Sequence, residues 1–400
     1  MISESLRVIW GNNVKKTCFI CKSDEWLPLP DPVSFQSVAT SSRIVPQPLG
    51  KSVCMTCGLV QRVRATFLGL SSYYEEDYAN YYERPGTEAF HFKRYQQLVG
   101  WMKDHLNENF AFSTVLDVGC GQGWAMDAMS ASFPNIDIYG IEPSKFNATI
   151  ARKKGHKVYL GKIEDLEIDK KFDLIYSNNV LQHVNDPVAF LTSIKELTSE
   201  NGVIIITCPD GSRPNIELLF SDHNYSFLPG NLIKMSGAAF EKVIWDASKE
   251  DPSLPPAQLI LLSNNSKYTK PELKISDFPQ PEIEKSAIEK IEYLDMLKKL
   301  NDHLMTNIQG SGEVYNFGAS FWTSVLAAYC TDYWNNVEAC IVDNKDAAKE
   351  FMGKKIIALN DIKELENALI VLGTSPATHE FLSQKMNGIN VIRWDAFFKY

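Results

Sequence analysis

The chain has 400 residues, 44% of them hydrophobic and 22% charged, with a formal net charge of −9. That length exceeds one ordinary core and predicts two or three domains. The acidic balance argues against a nucleic-acid binder, which normally carries a basic face. It leaves room for an anionic small substrate, because a pocket in an acidic protein can be locally positive. No run is apolar for long enough to make a transmembrane helix, and the first residues lack the basic start and apolar run of a secretory signal. The expectation is a cytoplasmic protein with no membrane partner.

Residues 1–68 show little helical periodicity and hold two C-x-x-C pairs, Cys18 with Cys21 and Cys54 with Cys57, with 32 residues between the pairs. Each pair can place two thiolates on one tight turn, and two such turns complete a tetrahedral four-sulfur site. Gly58, directly after the second pair, suits the cramped turn. In a reducing compartment this pattern predicts structural zinc rather than disulfides or a redox motif. A closed site of this kind leaves no coordination position for chemistry.

Residues 69–265 alternate apolar runs with amphipathic stretches, the pattern of an α/β fold. Tyr73, Tyr74, Tyr78, Tyr81 and Tyr82 precede this core. They suit either a lid over a ligand or the packing face of a helix. The segment TVLDVGCGQGWAMDAM, residues 114–129, predicts a buried strand at Val115, Leu116 and Val118. The chain then turns through Gly119, Gly121 and Gly123 into a helix, and glycines let a ligand lie directly against such a turn. Asp117 stands where a carboxylate reaches an ammonium group. Glu142, 25 residues later, ends a second strand and can accept from two ribose hydroxyls. A third strand ends near Ile163, Glu164 and Asp165, close to where an adenine would lie. A fourth, over residues 173–177, leads to a loop with Asn178, Asn179 and His183.

Residues 263–285 are rich in turn formers and charge and are expected to be a linker or surface excursion. A helix is expected over residues 281–305, with Ile283, Ile288, Ile291, Leu294 and Leu297 at helical spacing. Residues 266–400 then return to strand and helix. Gly318 and Gly373 follow two of those strands, and Asp343 follows another. The turn at Gly318 lacks the further glycines of a dinucleotide fingerprint, and Phe321 and Trp322 would crowd a pyrophosphate there. A substrate-gripping or structural domain is therefore expected, rather than a second cofactor site.

The order Asp117, Glu142, Glu164 and FDLIYSNNVLQHV resembles class I S-adenosylmethionine-dependent methyltransferases. With CMTCGLVQ, SSYYEEDYANYYERPG and the C-terminal unit, nearly the whole chain resembles the sugar C-methyltransferases of deoxysugar biosynthesis. The resemblance implies an α/β protein of three parts: a zinc-binding module (1–68), a Rossmann-like methyltransferase core (69–265) and a Rossmann-like C-terminal substrate domain (266–400). It implies S-adenosylmethionine held by Asp117, Gly119, Gly121, Glu142, Glu164 and Asn178, structural zinc, and methylation of a nucleotide-linked sugar at a carbon beside a ketone. That chemistry needs a base and a stabilised enolate. In LLFSDHNYSFLPG the resemblance points to His223 as the base, with Asp222 or Tyr225 orienting it or bonding the sugar; a capping or surface histidine is the alternative. Asp222 replaces the family's glutamate, and Phe220 stands where a tyrosine is usual. Two other readings follow from these departures: methylation of oxygen or nitrogen on a small metabolite, and a non-catalytic scaffold.

Overall fold

A computed structural model describes residues 17–64, 73–78, 88–106, 110–248, 256–264, 279–343, 349–362 and 367–398. Three sheets of four strands or more organise them. The central sheet contains β6 (Thr114–Val118), β7 (Asp137–Glu142), β8 (Lys157–Leu160), β9 (Phe172–Asn178), β10 (Thr198–Pro209), β12 (Lys242–Ala247) and β13 (Ala257–Ser263). Its order is β12-β13-β10-β9-β6-β7-β8, with β13 antiparallel to both of its neighbours. The inner strands are apolar on both faces because helices cover both. On one face α1 (Glu88–His105) and α2 (Trp124–Ser132) bring Val99, Met102, Ala128 and Met129 against Val115, Leu174 and Ile205. On the other, α4 (Pro187–Leu197) and α5 (Pro229–Gly237) bring Phe190, Ile194 and Leu232 against Leu116, Ile175 and Ile206. Each such fully buried side chain contributes about 1.5–3 kcal/mol as an upper estimate.

Local sequence sets the helix starts. Asp186 accepts the backbone N–H groups of Val188 (2.9 Å) and Ala189 (3.0 Å), and Pro187 follows it as the first residue of α4. Ser144 likewise caps α3 (Lys145–Lys153) by accepting from Asn147. From β6 the chain runs outward through β7 to β8, and from β9 the other way to β10. The carboxyl ends of β6 and β9 therefore open the crevice where ligands bind in sheets of this kind.

The N-terminal sheet is β1 (Trp26–Pro28), β4 (Lys51–Cys54), β5 (Val60–Arg62) and β11 (Tyr225–Ser226), in that order. A short pair, β2 (Ser37–Val38) and β3 (Ile44–Val45), lies between β1 and β4 in sequence. β11 comes from the loop after β10, yet it pairs with β5, Tyr225 opposite Gln61 and Ser226 opposite Val60. The cysteine module and the loop that follows the fifth strand of the central sheet are thus one sheet.

The long helix α6 (Gln280–Ile308) begins inside the stretch expected to be a linker, so residues 280–285 are helical. Residues 265–278 lie outside the described residues. Its buried stripe also differs from the expected one. Ile283, Ala287, Lys290, Leu294 and Leu297 face the core, while Ile288 is 47% exposed. The first set keeps a strict three-and-four spacing; Ile288 falls off it.

The third sheet has the order β16-β17-β15-β14-β18-β19, from β14 (Val314–Phe317), β15 (Val337–Ile341), β16 (Glu350–Phe351), β17 (Lys354–Ile357), β18 (Leu369–Leu372) and β19 (Asn390–Ile392). Helices α7 (Phe321–Tyr329) and α8 (Thr331–Asn336) follow β14, and α9 (His379–Lys385) follows β18. The crevice between β14 and β18 is filled by the protein itself. A Cβ on Gly373 would lie 2.2 Å from Asn316 Oδ1, and Thr323 donates its hydroxyl to Gly373 O at 2.8 Å. α7 also grips the N-terminal part: Gln36 donates to Ala328 O (2.7 Å), and Ser42 and Ser324 hydroxyls meet at 2.7 Å.

Candidate active site

The turn after β6 is shaped by backbone demands. Gly119, Gly121 and Gly123 have φ of 80°, 54° and 82°, the left-handed region that favours glycine. A Cβ on Gly119 would come 2.3 Å from Val180 Cγ2. Glu142, at the end of β7, accepts Gly121 N–H through Oε2 and Ser144 N–H through Oε1, both at 2.9 Å. Beneath the turn Asp117 is 1% exposed, and its Oδ2 has no hydrogen-bond partner. Burial, opposed by the Tyr176 hydroxyl and reinforced by Glu142, pushes the Asp117 carboxyl up to about 8; burial, opposed by the two N–H donors, pushes Glu142 up to about 7.

A buried carboxylate with one unpaired oxygen beside a glycine turn fits a ligand that brings its own positive charge. The ammonium of S-adenosylmethionine suits Asp117, and the remaining lone pairs of Glu142 suit a ribose diol. Glu164 lies on the 3₁₀ turn Ile163–Asp165 with an exposed side chain. Asn178 ends β9, and its Oδ1 receives the Thr207 hydroxyl at 2.6 Å, across the β9–β10 pairing. Both stand on loops or strand ends at the carboxyl edge. The tyrosine segment also reaches this edge, since Ser144 donates its hydroxyl to Tyr78 O at 2.9 Å. Tyr81 and Tyr82 lie outside the described residues.

The four paired cysteines converge. Cys18 and Cys57 sulfurs are 3.7 Å apart and Cys21 and Cys54 sulfurs 3.4 Å, and all four lie within 4.8 Å of one another. These distances are far longer than a disulfide bond and close to the roughly 3.8 Å sulfur–sulfur edge of a tetrahedral zinc site with bonds of about 2.3 Å. The second turn closes with Gly58 N–H donating to Cys54 O at 2.8 Å. Gly58 has φ 73°, and a Cβ there would lie 2.3 Å from Leu228 Cδ1. Phe19, inside the first pair, packs edge-on against Tyr225 at 5.3 Å.

A second polar cluster occupies the carboxyl end of β9 and β10. His183 Nδ1 lies 2.7 Å from the Tyr74 hydroxyl, 3.0 Å from Asp222 O and 3.8 Å from Asp222 Oδ2. With the proton on Nδ1 the ring donates to Asp222 O and the Tyr74 hydroxyl keeps its own hydrogen; in the other tautomer the Tyr74 hydroxyl donates to Nδ1. The His183 and His223 rings meet edge to face at 4.5 Å. His223 Nδ1 lies 3.0 Å from Glu217 Oε2. The buried Asp222 carboxylate accepts Thr40 N–H at 2.9 Å and the Thr40 hydroxyl at 2.5 Å. Burial holds the His223 imidazole well below its usual range, and His183 and Lys51 add to the effect. Lys51, itself buried, donates to Leu218 O at 2.8 Å, and burial lowers its ammonium to about 7.

His223 and Asp222 are therefore together, but Asp222 does not hold the His223 ring. Tyr225 is not in the cluster at all. Its hydroxyl donates to Asn185 O at 2.8 Å and its ring packs between Phe19 and Phe227, because β11 turns it toward the cysteine module. Sequence reasoning missed Thr40, Lys51 and Glu217, which carry no motif, and set Tyr74 among five tyrosines and His183 in the loop after the fourth strand without a role. Only the contacts between distant segments single them out.

The seven-stranded order, the glycine turn and the acidic pair give the central sheet the Rossmann-like fold of class I S-adenosylmethionine-dependent methyltransferases. Comparison agrees: residues 89–247 match the family model described as a methyltransferase domain. A ubiquinone biosynthesis O-methyltransferase of Rhodopseudomonas palustris (strain BisB5) is 28% identical over 98 residues, 23% of this chain and 38% of that protein. A tRNA U34 carboxymethyltransferase of Alteromonas mediterranea is 34% identical over 151 residues, 32% of this chain and 45% of that protein. The chain thus spans less than half the length of these curated relatives. Among solved structures, the plantazolicin methyltransferase BpumL with a pentazolic substrate analog and SAH aligns with a TM-score of 0.40 at 15% identity, over 49% of this chain and 95% of that one. No described helix is long and apolar enough to cross a membrane.

Proposed function

We propose that this protein transfers a methyl group from S-adenosylmethionine to a nucleotide-activated sugar, at a carbon beside a ketone, with His223 as the base. The observation that carries the reading is the Tyr74–His183–Asp222–His223 cluster, in which Asp222 and His223 are buried and Tyr74 and His183 half-buried, in the loops that follow β9 and β10. Asp117, Gly119, Gly121 and Glu142 would hold the cofactor, which supplies an electrophilic methyl group when bound. His223 takes the proton from the carbon beside the ketone, and the electron pair moves onto the carbonyl oxygen. On this reading the Tyr74 hydroxyl would donate to that oxygen, and the carbon is left nucleophilic for the displacement. The closed cluster excludes water from the enolate. The zinc bound by Cys18, Cys21, Cys54 and Cys57 acts structurally.

The C-terminal part supports a large substrate. Phe321 of α7 packs on Phe220 at 4.9 Å, and Phe220 in turn lies 5.6 Å from His223. That part of the chain therefore packs behind the loop of His223, where on this reading a nucleotide sugar would bind. A second reading, methylation at oxygen, is favoured by the phenyl ring of Phe220, which offers no hydroxyl to an enolate, and by the names of the O-methyltransferase relatives.

Calorimetric titration with S-adenosylmethionine and then with a panel of nucleotide sugars tests the reading, followed by NMR of the product. Micromolar binding of both and a new C–CH₃ signal are expected. An O–CH₃ product would move the reaction to oxygen. Cofactor binding without affinity for any nucleotide sugar would sink the proposed acceptor.

A further inference from the structure

Three facts about His223 separate the residue that holds it from the residue beside it in sequence. The Asp222 carboxylate is committed to Thr40, with Oδ1 on the backbone N–H and Oδ2 on the hydroxyl. What it faces among the imidazoles is His183, at 3.8 Å. Glu217, on the 3₁₀ turn Ile216–Leu219, instead places Oε2 3.0 Å from His223 Nδ1, and its backbone carbonyl also accepts from the same ring. That turn is fixed from three sides: Asn215 caps it by accepting Glu217 N–H at 2.9 Å, Lys51 donates to Leu218 O, and Tyr329 of α7 donates to Leu219 O at 2.6 Å.

We propose that Glu217, five residues before its neighbour in the motif, is the positioning residue of His223: its carboxylate receives the Nδ1 proton and leaves Nε2 as the basic atom. The inference rests on His223 being the base. A carboxylate on the far nitrogen fixes both ring orientation and tautomer, and offsets the positive charge that appears when the near nitrogen takes a proton. The groups around the pair are Lys51 from β4, Arg94 from α1, His183 from the loop after β9, and Asp222. Burial pushes the Glu217 carboxyl up to about 7, with Arg94 and Lys51 opposing and Asp222 reinforcing the shift. Glu217 thus becomes an acceptor as pH rises through neutrality, and the Nδ1–H form of His223 is gained in the same window.

The test is ¹⁵N NMR of the full, zinc-loaded chain labelled in histidine, with the His223 ring signals assigned by His223→Gln. In the wild type the Nδ1–H tautomer is expected to dominate above neutral pH. In Glu217→Gln its fraction falls and loses its dependence on pH. On whichever nucleotide sugar the wild type turns over, the same variant loses on the order of 10²- to 10⁴-fold in kcat. KM and the S-adenosylmethionine affinity stay near wild type. Thermal unfolding and Glu217→Ala show whether the fold itself has moved. A wild-type Nε2–H tautomer, or a Glu217→Gln protein with unchanged tautomer or unchanged kcat, overturns the proposal. If no nucleotide sugar is turned over, the acceptor reading fails while the NMR result still decides whether Glu217 holds His223.

Discussion

Thr40 donates both its backbone N–H and its hydroxyl to the carboxylate of Asp222, 182 residues away. The same two segments meet again where Ser221 N–H donates to Val38 O at 2.8 Å, and β5 pairs with β11 just beyond. The cysteine module is therefore part of the wall that holds the Asp222–His223 loop.

Removal of the proposed zinc should act on that loop at a distance. Chelation, or Cys54→Ser, is expected to raise amide hydrogen exchange in β5 and in residues 221–226 and to abolish transfer. S-adenosylmethionine affinity should change little, because Asp117 and Glu142 stand on β6 and β7. Full activity in metal-free protein would separate the cysteine site from the reaction.

Thr40→Val removes the hydroxyl and keeps the shape. It leaves a buried Asp222 oxygen unpaired, which costs about 1–3 kcal/mol. A matching loss of stability in urea unfolding is expected, together with a slower reaction. A Thr40→Val protein as stable as wild type would mean that the Oδ2 contact contributes nothing.

Cofactor binding should strengthen as pH rises. The folded, ligand-free protein keeps protons on Asp117 and Glu142 up to about 8 and about 7, whereas the unfolded chain sheds them at ordinary carboxylate pH. Between those limits the folded state binds more protons, so ligand-free stability falls as pH climbs from about 5 to about 8. An ammonium placed against Asp117 requires the ionised form, so affinity rises over the upper part of that range. Thermal shift with and without S-adenosylmethionine measures both trends; a pH-independent affinity would detach Asp117 from the ammonium. Asp117→Asn should stabilise the ligand-free protein at neutral pH and lose binding.

Glu142→Ala should cut cofactor affinity by on the order of 10- to 150-fold, the value of hydrogen bonds to a charged group at about 1.5–3 kcal/mol. Calorimetry at fixed pH reads this directly. An unchanged dissociation constant would remove the ribose from Glu142.

Gly119→Ala meets two obstacles, a left-handed backbone and the Val180 methyl at 2.3 Å. A stability loss of about 1–3 kcal/mol is expected, with cofactor binding impaired. Wild-type unfolding and binding would show that the turn can relax.

The sequence by itself determined the parts whose chemistry is local. A glycine turn needs φ above zero at fixed positions, a strand of TVLDV buries on both faces, and two C-x-x-C turns each present two sulfurs, so Asp117, Glu142 and Cys18, Cys21, Cys54 and Cys57 are legible from spacing alone. The stripe of α6 was legible only in part, since period alone did not say that Ile288 faces water. The tertiary structure decided which residues surround His223. Glu217, Thr40, Lys51 and Tyr74 come from four segments with no shared motif, and β11 turns Tyr225 away although it is two residues from His223. Asp222 lies in the turn before β11 and His223 directly after that turn, and the two find different partners. Which partners those are depends on long-range sheet pairing, and that is set by burial across the whole molecule rather than by any local run of residues.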